Sequence, residues 1–207
     1  MDVPPHNLKE QMTAYRDCIG EARLRLELAK ARITDRKCAG VVTEFDIESI
    51  SLHLRKVVEL IALGSISANK VEYEKVRADI GRDWNARLIF RDVERINPSF
   101  FPIPFEFDGD ASMKEPTYKC MDREGLMELY DKTSQFMHSR NRYAPLQNYG
   151  YVLEDLAGRV DLLINLLRSF EVHLLPSDYL YFVVMNFRTE DPVQVALAGY
   201  IDDEHDS

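Results

Sequence analysis

Residues 46–70, DIESISLHLRKVVELIALGSISANK, constrain the fold of this chain more than any other stretch. Ile47, Ile50, Leu54, Val57, Ile61 and Ala68 recur at steps of three, four and seven, which puts them on one face of a helix. Leu60, Leu63 and Ile66 widen that face until the second half is apolar almost all round. A helix that is apolar on every side has to be covered on every side, so the rest of the chain must supply a shell. Gly64, Ser65, Ser67 and Ala68 are small and let neighbouring helices come close. Thr43 and Asp46 have the spacing of a capping box, which satisfies the orphan N–H groups of a helix start. The expectation is a central core helix.

Two long seams flank it. Over residues 8–34, Leu8, Met12, Tyr15, Ile19, Ala22, Leu26, Ala29 and Ile33 alternate steps of four and three, a heptad pattern. Arg16, Arg23, Lys30 and Lys37 recur along one border of this seam, and Arg25 and Arg32 line the other. Over residues 149–173 the same steps return at Leu153, Leu156, Val160, Leu163, Leu167 and Phe170. Here the borders are acidic, with Glu154, Asp155 and Asp161. Opposite charges favour each other, so the two helices are expected to pack together, within one chain or across a dimer.

Between the seams, residues 71–96 read as helical, with a break at Gly81 and Asp83 placed to cap a second segment. Asn97-Pro98 stops it. The prolines of Phe100-Phe101-Pro102-Ile103-Pro104-Phe105 force an extended path, either a connector across the bundle or an exposed aromatic docking strip. Asp122 or Arg123 opens a further helix, with Leu126, Tyr130, Thr133 and Met137 on one face. Near the end, Tyr179-Leu180-Tyr181-Phe182-Val183-Val184-Met185, a turn at Thr189-Glu190-Asp191-Pro192 and alternating residues from Val193 read as a β-hairpin. A lone hairpin is marginal in water, so it must lie on the helices or pair with another sheet. The predicted fold is mainly α: a bundle of about five helices (residues 1–175), with a C-terminal β-hairpin and acidic tail packed on it (residues 176–207).

Charge and cysteine usage narrow the function. The net charge of -9 disfavours broad nucleic-acid binding through phosphate neutralisation. Cys18, Cys38 and Cys120 are scattered and fit neither a disulfide framework nor a zinc site. The start of the chain lacks a signal-peptide pattern, and no apolar run reaches the roughly 18–20 residues of a membrane span. A soluble cytoplasmic protein without cofactor or metal is expected. Nucleotide, metalloprotease and calcium motifs are absent. Ser67 and Lys70 have a Ser-x-x-Lys spacing, but the companion motifs of acyl-transfer enzymes are missing.

Two clusters carry possible chemistry. His138, Arg140, Asn141, Arg142 and Tyr143 gather at a helix exit. An imidazole trades protons near neutral pH and a guanidinium neutralises charge on a phosphate, so His138 and Arg140 are candidate catalytic groups and Asn141, Arg142 and Tyr143 candidate binding groups. Cations at a helix C-terminus also complement its dipole without any chemistry. The second cluster is Arg168-Ser169-Phe170-Glu171-Val172-His173. Arg, a polar residue, and His after four intervening positions resemble the motif of HEPN domains, all-helical bundles that are often metal-independent ribonucleases of toxin and defence systems. The resemblance implies His173 as acid or base on the ribose hydroxyl and phosphate, Arg168 as the group steadying phosphorane charge, and Ser169 as the polar position. His53, beside Arg55 and Lys56, is a further possible member or a hydrogen-bonded core residue. Two functions stay open. One is a module for protein–protein interaction or homodimerisation through the heptad seams and hairpin edge. The other is a HEPN-like endoribonuclease, the only reading in which RNA is a partner.

Overall fold

The computed structural model describes residues 6–77, 80–82, 84–108, 112–138, 143, 147–175, 179–187 and 191–199. The chain opens with α1 (His6–Ala39) and α2 (Glu44–Ala68). Gly40, at φ +68°, takes the left-handed conformation that ends α1 and turns the chain back. The α1 seam is buried within the chain: Tyr15, Ile19, Ala22, Leu26 and Ala29 are at most 2% exposed. A Cβ on Gly64 would stand 3.4 Å from the Tyr15 ring, so the small residues of α2 do admit a close neighbour.

The cap of α2 follows the predicted pattern. The Thr43 hydroxyl accepts from Asp46 N at 3.3 Å, and Thr43 N donates to Asp46 Oδ2 at 2.8 Å. Burial alone would raise the Asp46 carboxyl. The Thr43 hydrogen bonds, with Arg32 at 2.8 Å and Arg36, hold it below its ordinary value instead. A carboxyl depressed in the folded state stabilises the protein above its unfolded pKa, and that stability is lost as pH falls through the folded value. Asp46→Ala is therefore expected to lower stability by about 1 kcal/mol at pH 7. The deficit should shrink below pH 4 in urea unfolding followed by circular dichroism.

After Asn69 closes α2, α3 (Lys70–Val76), a 3-10 turn (Ile80–Arg82) and α4 (Ala86–Ile96) follow. The α4 cap is Asn85, whose side chain accepts from Arg87 and Leu88 N; Asp83 lies outside the described residues. The Phe100–Phe105 segment is extended and supplies β1 (Ile103–Pro104), while β2 (Glu106–Phe107) pairs with β3 (Met113–Lys114). Phe100 and Phe105 are buried, so most of this strip is cover for the core. α5 (Arg123–Ser134) starts at Asp122, whose carboxylate accepts from Gly125 N at 2.8 Å. α6 (Tyr149–Leu167) completes the helices, and α2 packs against α1, α4, α5 and α6. The charge match between the seams appears within one chain: Lys37 pairs with Glu154 at 2.6 Å and Lys30 with Asp161 at 3.6 Å. Asp155 turns instead to Lys132 and Arg159.

The end of the chain differs from the expected hairpin. β4 (Ser169–His173), β5 (Tyr179–Val184) and β6 (Gln194–Gly199) join β1 in a four-stranded antiparallel sheet, ordered β1-β4-β5-β6. The predicted helix over residues 149–173 stops at Leu167. Phe170 fits the helical steps, but Phe170 and Val172 are also two apart, and both are buried on one side of β4 while Glu171 and His173 reach the other. A boundary at residue 175 would fall between β4 and β5, which pair along all of β4.

Candidate functional site

The sharpest concentration of chemistry lies where α2 meets α5. Arg55 and Glu59 are one turn apart on α2, a largely apolar helix, and Tyr130 and Ser134 are one turn apart on α5. Arg55 Nη2 donates to Tyr130 Oη at 2.7 Å, and Nη1 donates to the Ser134 hydroxyl. Arg55 Nε lies 3.1 Å from Glu59 Oε1, and Lys56 Nζ donates to Glu59 Oε2 at 2.7 Å. The guanidinium carbon stands 4.1 Å from the centroid of the Tyr130 ring, a cation–π contact. Glu59 is 8% and Tyr130 4% exposed. Burial raises the Tyr130 phenol against the opposing pull of Arg55, so it stays protonated at neutral pH.

Hydrophobic residues of similar volume would fill such a position at equal or lower cost, because two charges must lose water to enter it. The network therefore serves either a unique packing or chemistry. His138 lies one step further along the Tyr130–Ser134 spacing. α5 ends at Ser134, and Phe136 N and Met137 N bond to Thr133 and Ser134 carbonyls at 3.2 and 3.1 Å, carrying the chain to an exposed His138. Arg140, Asn141 and Arg142 lie outside the described residues. Tyr143 is 98% exposed.

Arg168 and His173 are not brought together. Arg168 caps the end of α6 with its guanidinium 4.9 Å from the Tyr118 ring, whereas His173 ends β4 with Nε2 3.3 Å from Glu171. Five residues of extended chain separate them by roughly 16 Å. Ser169, read as the polar neighbour, instead donates its hydroxyl to the Phe105 carbonyl at 2.7 Å. His53 sits partly buried on α2, and its buried Nδ1 finds no hydrogen-bond partner among the described residues. Desolvation, then the charge of Arg25, lowers its pKa, so the ring is neutral at pH 7.

Sequence reasoning passed over Arg55, Glu59, Tyr130 and Ser134 as site members. The signal was present: an Arg and a Glu four residues apart inside an apolar helix, and a Tyr, Ser and His at successive steps of four. Among the described residues, no three His, Cys, Asp or Glu side chains gather to hold a metal ion, and no helix is long and apolar enough to cross a membrane. No protein-family model, curated protein or solved structure matches this chain.

Proposed function

We propose that the α2–α5 site binds the phosphate of an RNA backbone and cleaves it in the manner of HEPN-like endoribonucleases, with Arg55 and His138 in the roles first assigned to Arg168 and His173. The observation that carries this reading is a guanidinium–carboxylate pair on a largely apolar helix, bonded to the Tyr130 and Ser134 hydroxyls of α5, with an exposed imidazole four residues past Ser134. Glu59 and the Tyr130 ring fix the guanidinium, while its bond to the Ser134 hydroxyl is exchangeable for a phosphate oxygen. In the proposed reaction, His138 takes the proton of a ribose 2′-hydroxyl, and that oxygen attacks the adjacent phosphorus. Arg55 neutralises charge on the phosphorane. The P–O5′ bond then breaks, and the imidazolium returns its proton to the leaving oxygen. The products are a 2′,3′-cyclic phosphate and a 5′-hydroxyl. The net charge of -9 works against RNA at long range, so cleavage should rise as salt screens that repulsion and fall once salt competes for the site.

Cleavage of a labelled RNA in EDTA tests the reading. His138→Ala should slow it at least about 100-fold, and Arg55→Lys should slow it comparably. His173→Ala should leave the rate within about threefold. Full activity in His138→Ala, or its loss in His173→Ala alone, would reject the assignment.

A second reading, homodimerisation, draws on a different observation. β6 forms one edge of the sheet and reads Gln-Val-Ala-Leu-Ala-Gly, with neither charge nor proline to block pairing. An uncharged strand is where two copies of an acidic chain repel each other least, and antiparallel β6–β6 pairing is self-complementary. The heptad seams contribute nothing to it, since both are spent within the chain. Sedimentation should show a dimer that Ala196→Lys converts to monomer; a monomer at every concentration removes the reading.

A further inference from the structure

The cleft where α1, the end of α6 and the end of β5 meet has a volume of about 480 Å³. That is the size of a small-molecule site. Ile164, Val184 and Phe187 form apolar walls, and Lys30 and Arg168 bring two cations to the lining. The acid on the wall, Glu27, is already engaged by Arg23 Nε at 2.9 Å.

Arg168 differs from the other partly buried arginines. Arg55, Arg77, Arg123 and Arg159 each reach a carboxylate. Among the described residues, no carboxylate lies within ion-pair distance of Arg168, and its resolved contact is the Tyr118 ring. A guanidinium drawn partly out of water without a counter-charge is costly and attracts an anion. Lys30 can join it: its pair with Asp161 is long at 3.6 Å, and both side chains are more than half exposed. Such a pair holds its partners weakly. On the rim, Asn186 is held at φ +53°, and its amide donates to the Pro192 carbonyl at 2.8 Å. A non-glycine residue in that region is a local strain that the surrounding structure must maintain.

We infer that this cleft binds a small organic anion, a phosphate monoester or carboxylate with an apolar body, between Arg168 and Lys30. The site is separate from the α2–α5 network and stands whether or not that network cleaves RNA. A dipole role for Arg168 at the end of α6 would not involve Lys30, which belongs to α1.

Titration of the isotope-labelled full chain with phenyl phosphate, and separately with inorganic phosphate, at constant ionic strength tests this by NMR. Saturable amide shifts are expected at residues 164–168 and 184–187, with phenyl phosphate at least tenfold tighter because the walls are apolar. Arg168→Gln and Lys30→Gln should each weaken binding at least fivefold, and Arg168→Lys should retain part of it. Arg16→Gln, an exposed α1 cation, should change nothing. A native-like spectrum for Arg168→Gln separates lost binding from lost fold; if that variant unfolds, Lys30→Gln and Arg168→Lys carry the comparison. Linear, unsaturable shifts, equal weakening by Arg16→Gln, or shifts centred elsewhere would overturn the site.

Discussion

Glu59→Leu is expected to destabilise the protein by about 3–5 kcal/mol, because it leaves the Arg55 guanidinium without its carboxylate inside an apolar helix. Glu59 is 8% exposed and is shared by Arg55 and by Lys56. Lys56 is the less affected partner, since its half-exposed ammonium can return to water. Arg55 stays held by Tyr130 and Ser134 but carries an uncompensated charge. The double variant Arg55→Met/Glu59→Leu removes both charges and keeps the volume. It should recover most of the loss, to within about 1 kcal/mol of wild type or better. Denaturant unfolding of the two variants measures both values. The double variant is also the decisive one for function. A network kept for packing gives a stable protein with unchanged activity when it is replaced by hydrophobic residues. A network kept for chemistry gives a stable protein that no longer cleaves RNA.

The parts of the fold legible in the sequence are those set by long, unbroken periods. The α1 seam, the capping box of α2 and the charge match of Lys30 and Lys37 with Asp161 and Glu154 each follow from spacing alone, because helix geometry fixes which residues share a face. The sheet was only half legible. β5 announces itself by β-branched and aromatic content and β6 by alternation after a turn, but β1 is two residues long and β4 follows a helix directly. Short strands exist only through their neighbours, so local sequence carries little of their signal.

The candidate site was obscured for a related reason. The sequence places Tyr130 on the apolar face of α5, and there it lies, at 4% exposure. Its hydroxyl acquires a role only because α2 presents Arg55 to it from 75 positions earlier in the chain. The pattern Arg168 to His173 misled in the opposite direction. Its spacing of five puts the two side chains roughly 140° apart around a helix and on opposite faces of a strand, so neither local structure brings them together.

Val172 distinguishes the two readings of this segment most sharply. On a helix running through residue 173 it would stand off the seam of Leu163, Leu167 and Phe170, facing water, and a charge there would change stability by no more than about 0.5 kcal/mol. On β4 it is 1% exposed, beside Tyr181 of β5 in the register and on the same side as Phe170. Val172→Asp then puts a carboxylate into the contact between sheet and helices, with no cation partner for Val172's position in the register. The expected cost is about 4 kcal/mol or more, large enough to unfold a marginally stable domain. Glu171→Ala, one residue away on the partly exposed side, should cost less than about 1 kcal/mol. Thermal unfolding of the pair reads the alternation directly. A mild Val172→Asp would mean that the segment does not lie on the core as a strand, and the preference for Arg55 and His138 over Arg168 and His173 would lose its structural basis.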